Sequence, residues 1–134
     1  MARAADYVGV TMAAAGTVSS RFTGKHVETH VSGRVLGAMI RDMVADYERL
    51  GGGAVWLIRA EEATGYTAEA ITEAVGCFGR LFKERKLRRI VAVIVKPTVR
   101  MGAQVVSMSL HAAGSPVDIR VVSHVREAID ALQL

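Results

Sequence analysis

A chain of 134 residues, 51% of them apolar and 22% charged, can bury a core as one folded unit and does not have the composition of a disordered segment. Its 17 basic and 13 acidic residues leave a net charge of +4 spread along the chain, a statement about solubility more than about partners. The single cysteine, Cys77, excludes an internal disulfide framework, and no apolar run approaches the roughly 20 residues that cross a bilayer. The start MARAADYVGV lacks the long apolar region and cleavage pattern of a signal peptide, so a cytoplasmic location is expected.

Tyr7 to Met12 and Thr17 to Thr23 have the β-branched content and partial alternation of strands, and Ala13 to Gly16 can turn between them, which predicts an antiparallel hairpin. Lys25 to Ser32 reads as a connector in which Thr29 or Ser32 caps a following helix. From Val31 the apolar positions Val35, Met39, Met43, Tyr47 and Leu50 recur at three- and four-residue steps, flanked by Leu36, Ile40 and Val44. Gly33 and Gly37, one turn apart in that helix, would let a neighbouring backbone approach. Gly51-Gly52-Gly53 ends it, because glycine supplies the left-handed conformation of a helix C-terminus.

Ala54 to Ile58 reads as a buried central strand, Glu61 to Thr67 as the polar turn after it, and Thr67 as the cap of a helix with Glu69 in its first turn. That helix carries Ile71, Ala74, Val75, Phe78 and Phe82 at core spacing and ends in the basic run Lys83 to Arg89, with Cys77 as a small buried hydrophobe. Ile90 to Val95 is a continuous, mostly β-branched run suited to a strand buried on both faces, and Pro97 stops it. Thr98 to Ala113 reads as a helix capped by Thr98, with Met101, Val105 and Met108 turned inward, and Gly114-Ser115-Pro116 breaks it. Asp118 to Val122 is a last strand, and Ser123 caps a terminal helix carrying Val125, Ile129 and Leu132. The order ββαβαβαβα, in one domain spanning 1–134, implies an α/β fold: a mixed, mostly parallel sheet with an antiparallel edge strand and packed helices.

This order resembles the STAS family, the domain of sulfate transporters and anti-sigma-factor antagonists, over nearly the whole chain. The resemblance is carried by Arg21-Phe22-Thr23-Gly24, by Ala54 to Gly65, by the ending Ser123 to Leu132, and by Pro97 to Ala103, similar to a strand-to-helix turn of bacterial STAS-like proteins. It implies a non-catalytic regulatory module that binds another protein through the loop after the central strand, here Glu61, Glu62, Thr64, Tyr66 and Thr67. In the sigma-regulatory members that loop holds an Asp-Ser-Ser-Gly-like motif phosphorylated by a partner kinase. Here the Asp and the paired hydroxyls are missing, and Thr64 or Thr67 would stand in for the phosphorylated residue.

Other chemistry is weaker. His26 and His30 have a four-residue spacing, but Glu28 is not adjacent to the first, and neither His111 nor His124 is identifiable as a third ligand, so no metal is expected. Gly24-Lys25 lacks the glycine and hydroxyl of a phosphate loop, Ser19 and His26 standing in their places. The Lys83 to Arg89 run reads as a solvated helix end, which disfavours nucleic acid as a partner. No side-chain set forces a catalytic reading and no cofactor is expected. Two alternatives stay open: self-assembly, in which Met101, Val105 and Met108 on the third helix would instead be exposed and form the interface, and a small anionic ligand near Thr64 and Tyr66, clamped by Lys96 and Arg100.

Overall fold

The computed structural model describes residues 16–85 and 87–133. The strand expected at Tyr7 to Met12 lies outside them. Strands β1 (Thr17–Phe22) and β2 (Val27–Val35) lead into α1 (Gly37–Arg49), and β3 (Val55–Tyr66) into α2 (Ala68–Glu84). Then come β4 (Arg89–Val93), α3 (Pro97–Ala112), β5 (Asp118–Val122) and α4 (Val125–Ala131). The sheet runs β1-β2-β3-β4-β5, with β1 antiparallel to β2 and every other pair parallel. The expected mixed sheet with one antiparallel edge is present.

The hairpin is formed differently from the expectation. Thr17–Phe22 pairs with Val27 to Ser32 of β2 around Thr23 to His26, so the expected connector from Val27 on and the start of the expected first helix are strand. Val27, Thr29 and Val31 alternate onto the core face, and β-branched residues fit a pleated surface better than a helix. Val31 and Val35 therefore belong to β2, and only Met39, Ile40, Met43, Val44 and Tyr47 of the apolar stripe are buried by α1. Gly37 opens that helix against the Glu69 side chain, and Gly33 is in β2.

The glycine stop at the end of α1 holds. Gly51 has φ +74°, its N–H donates to the Glu48 carbonyl, and the Gly52 N–H donates to that of Tyr47. This crossed pair satisfies two carbonyls the helix would otherwise leave open.

Helices α1, α2 and α3 cover one face of the sheet, and α4 packs on the other against Leu57, Val91 and Val93. Fully buried Trp56 anchors the larger core: its ring lies 4.4 Å from Tyr47 and 5.7 Å from Phe78, and its Nε1–H donates to Thr29 Oγ1 at 2.9 Å. Burial pushes the Tyr47 hydroxyl up to about 12, and that group donates to the Gly53 carbonyl.

Two helices present other faces than expected. Helix α3 begins at Pro97, whose missing N–H suits a first helical position, after Lys96 as cap. It buries Val99, Gly102, Val106 and Leu110, leaving Met101, Val105 and Met108 exposed by 59%, 42% and 72%. Helix α4 starts after His124, not Ser123, and buries Ala128 and Ala131 while Val125 and Ile129 face out. Small residues take the inward positions of α4, at Ala128 and Ala131, and one of those of α3, at Gly102. Among the described residues no helix is long and apolar enough to cross a membrane.

Candidate interaction site

The expected polar turn is a strand. β3 continues through Glu61, Glu62, Thr64 and Tyr66, and Thr67 alone joins it to α2. The register gives the reason. From His30 to Ser32, β2 advances two residues while β3 advances three, from Arg59 to Glu62; from Gly33 to Arg34, β2 advances one while β3 advances two, from Ala63 to Gly65. Two extra residues in β3 form bulges, which bend a strand and re-aim its side chains. The inward positions are thus Trp56, Ile58, Ala60, Ala63 and Tyr66, separated by steps of two, two, three and three.

Each named residue can then be placed. Glu61 is bound by Arg59, two residues back on the same strand, through Nε at 2.9 Å and Nη2 at 2.8 Å. That hydrogen-bonded pair holds the Glu61 carboxyl below its ordinary value despite partial burial. Glu62 is exposed opposite Ser32 and has no ion-pair partner among the described residues. Thr64 is exposed at the second bulge. Tyr66 turns toward the core, half-buried, opposite Val35 and over Gly102 of α3. Thr67 is half-buried, and its Oγ1 accepts from the Ala70 N–H at 3.1 Å, the expected N-cap. Glu62 and Thr64 therefore lie on the outer surface, while Tyr66 and Thr67 fix the junction of β3 with α2.

Lys96 and Arg100 do not converge on that surface. Lys96 is exposed at the start of α3, and the Arg100 guanidinium donates to Ser123 Oγ at the end of β5. The strand order does not reverse among the described strands, so the crevice that places ligands in doubly wound sheets is not formed there. The basic run is likewise divided. Arg85 reaches Glu48 at 3.8 Å, Arg88 stands 4.7 Å over the Phe82 ring, and Arg89 binds Asp118 at 2.9 Å.

His30 lies in β2 and is paired with Glu28 at 2.8 Å, which Arg21 also binds. Burial alone would raise the Glu28 carboxyl, but the hydrogen bonds from His30 and Arg21 outweigh it and hold the group below its ordinary value. Among the described residues no three His, Cys, Asp or Glu side chains are grouped to hold a metal. Cys77 is half-buried, and burial followed by the Glu73 charge pushes its thiol up, away from reactivity. The Arg59 clamp on Glu61 was legible as a two-residue alternation once this stretch is taken as strand. The partnership of Arg100 with Ser123 had no signal in sequence.

No protein-family model matches the sequence, and no curated protein does. Solved structures do match. A SpoIIAA-like protein of the DUF3478 family from Shewanella loihica PV-4, uncharacterised, is similar over 89% of this chain and 94% of its own, at 13% identity and a TM-score of 0.60. An anti-sigma factor antagonist from Mycobacterium paratuberculosis is similar over 88% of this chain and 94% of its own, at 15% identity and a TM-score of 0.56. The anti-sigma factor antagonist SpoIIAA in its unphosphorylated form is similar over 87% of this chain and 96% of its own, again at 15% identity and a TM-score of 0.56. The chain has a STAS-like fold, that of SpoIIAA. At these identities the likeness is one of fold.

Proposed function

We propose that this protein is a regulatory protein-interaction module, and that it works by contact through the outer side of the β3 end and the start of α2. The supporting observation is the way the bulged strand presents Glu62 and Thr64 outward while Tyr66 and Thr67 tie the same segment to α2 and α3. A segment fixed in this manner loses little conformational freedom on binding, which favours recognition by preformed contact. Two solved structures of the same fold bear the name anti-sigma factor antagonist, and that likeness supports a protein as the partner.

A phosphorylated hydroxyl in this segment would be Thr64 or Thr67. Thr64 is exposed; Thr67 already uses its oxygen as a cap, and a phosphate there would sit at the positive end of α2. Glu62→Lys is the cleaner probe of the contact, because Glu61→Lys would also break the Arg59 pair. Capture from the native host with wild-type and Glu62→Lys protein in parallel tests the reading: a partner lost with the charge reversal supports it, and one retained equally refutes it.

A second reading rests on the exposed Met101, Val105 and Met108 of α3, a stripe suited to self-association. Light scattering across concentrations decides it: a dimer broken by Met108→Lys supports it, and a monomer throughout rules it out.

A further inference from the structure

Between the sheet and helices α2 and α3 lies a cavity of about 120 Å³. Ile58, Phe78, Ile94, Val99 and Val106 form much of its wall, no charged side chain lines it, and the Tyr66 hydroxyl is the only side-chain oxygen on a lining residue. Protein interiors are packed with few voids larger than a water molecule, so a space of this size needs a structural reason. The reason is small residues facing one another: Ala60 on β3, Ala70 and Ala74 on α2, Ala92 on β4, and Gly102 and Ala103 on α3 all line it. A leucine at one of these alanines would occupy much of the space.

The wall decides what the cavity can hold. A buried water needs two to four polar partners, which these side chains do not supply, whereas an apolar cavity of roughly 150 Å³ stays dry and accepts benzene or xenon. Lys96 and Arg100 are not among the lining residues, so an anion has no counter-charge inside. Of the half-buried lining residues, Val35, Tyr66, Ile71 and Ala103 gather where β2 and β3 end beside the first two turns of α2 and α3, and Ile119 near the start of β5 stands apart. Four of the five half-buried lining residues lie there, which puts the mouth of the cavity beside the Tyr66 ring that rests on Gly102.

We propose that this cavity is a binding site for a small apolar molecule, about the size of a benzene ring or a short hydrocarbon chain, entering beside Tyr66. The site adjoins the protein contact proposed above, sharing Tyr66 and the start of α2 with that segment, while Glu62 and Thr64 take no part in it.

The test uses the full chain with benzene as the probe, and with benzoate and inorganic phosphate as anionic counterparts. Methyl NMR reads Ile58, Ile94, Val99 and Val106, and thermal unfolding reads linkage. Benzene at ten times its dissociation constant should shift those methyls and raise Tm by about 4 °C, while benzoate and phosphate leave both unchanged. Ala103→Leu, which fills the mouth from a half-buried position, should weaken benzene binding at least tenfold; Ile71→Phe, at the same rim, serves if that variant does not fold. Unshifted lining methyls at saturating benzene, benzene binding unaltered in the filled variant, or equal shifts from benzoate would each overturn the proposal. Loss of benzene binding with partner capture intact would show that the two sites are separate.

Discussion

Gly102→Ala should change the sign of its effect with the residue at position 66. A Cβ at 102 would stand 2.6 Å from Tyr66 Cε1 and 2.9 Å from Cζ, closer than real Cβ contacts allow, so the ring must move. Overpacking of this kind costs about 1–3 kcal/mol. Alanine in place of glycine inside a helix returns about 0.8–1.0 kcal/mol through backbone entropy. The difference predicts that Gly102→Ala destabilises the protein by about 1 kcal/mol, or about 3 °C in Tm for a domain of this size. In a Tyr66→Ala background the obstacle is gone, and the same substitution should stabilise by up to about 1 kcal/mol. Urea unfolding followed by the single tryptophan, the buried Trp56, reads all four members of the cycle. Stabilisation by Gly102→Ala in both backgrounds would refute the contact between the end of β3 and α3, and with it the placement of Tyr66.

Other consequences can be measured on the same protein. Thr67→Ala should cost about 1 kcal/mol, because the Ala70 N–H loses its acceptor, whereas Thr67→Asp should keep the stability; equal losses in urea melts would show that capping is not the role of Thr67. Stability should also fall in acid. The hydrogen-bonded pair with Arg80 holds Glu48 below its ordinary 4.5, and the one with Arg59 does the same for Glu61. A carboxylate depressed in the folded state contributes stability that is complete above its unfolded value and lost as pH drops through the folded one. The urea midpoint should therefore decline as pH falls below about 4.5, and the decline should be shallower in Glu48→Gln. A wild-type slope in Glu48→Gln would contradict that source of the acid sensitivity.

The sequence was most readable where one local rule acted alone. The α1 stop at Gly51, the Thr67 cap, the apolar run of β4 as far as Val93 and the short β5 follow from turn chemistry, capping or β-branched content, and each is present, although the expected strand stops two residues before Val95, which is exposed. Legibility failed where two periods fit the same residues. Val31 and Val35 are four apart and suit a helix, yet Val27, Thr29 and Val31 also alternate, and pairing with both β1 and β3 selects the strand. In β3 the bulges lengthen the inward spacing from two to three after Ala60, so the alternation that marks a strand disappears and the polar residues read as a turn. On α3 the choice between Met101, Val105 and Met108 and the stripe through Val99, Gly102 and Val106 depends on how closely the helix approaches Tyr66, a tertiary distance that helical periodicity does not encode. For the same reason the residues of the candidate site were named from sequence, but their division into the outward Glu62 and Thr64 and the anchoring Tyr66 and Thr67 was not.

The most direct test of the proposed function is titration of the partner captured from the native host against wild-type and Glu62→Lys protein, with folding of both confirmed by Trp56 fluorescence. A contact centred on the outer side of β3 predicts at least a tenfold loss of affinity in the variant. An unchanged dissociation constant would contradict it and move the interaction to another face of the fold.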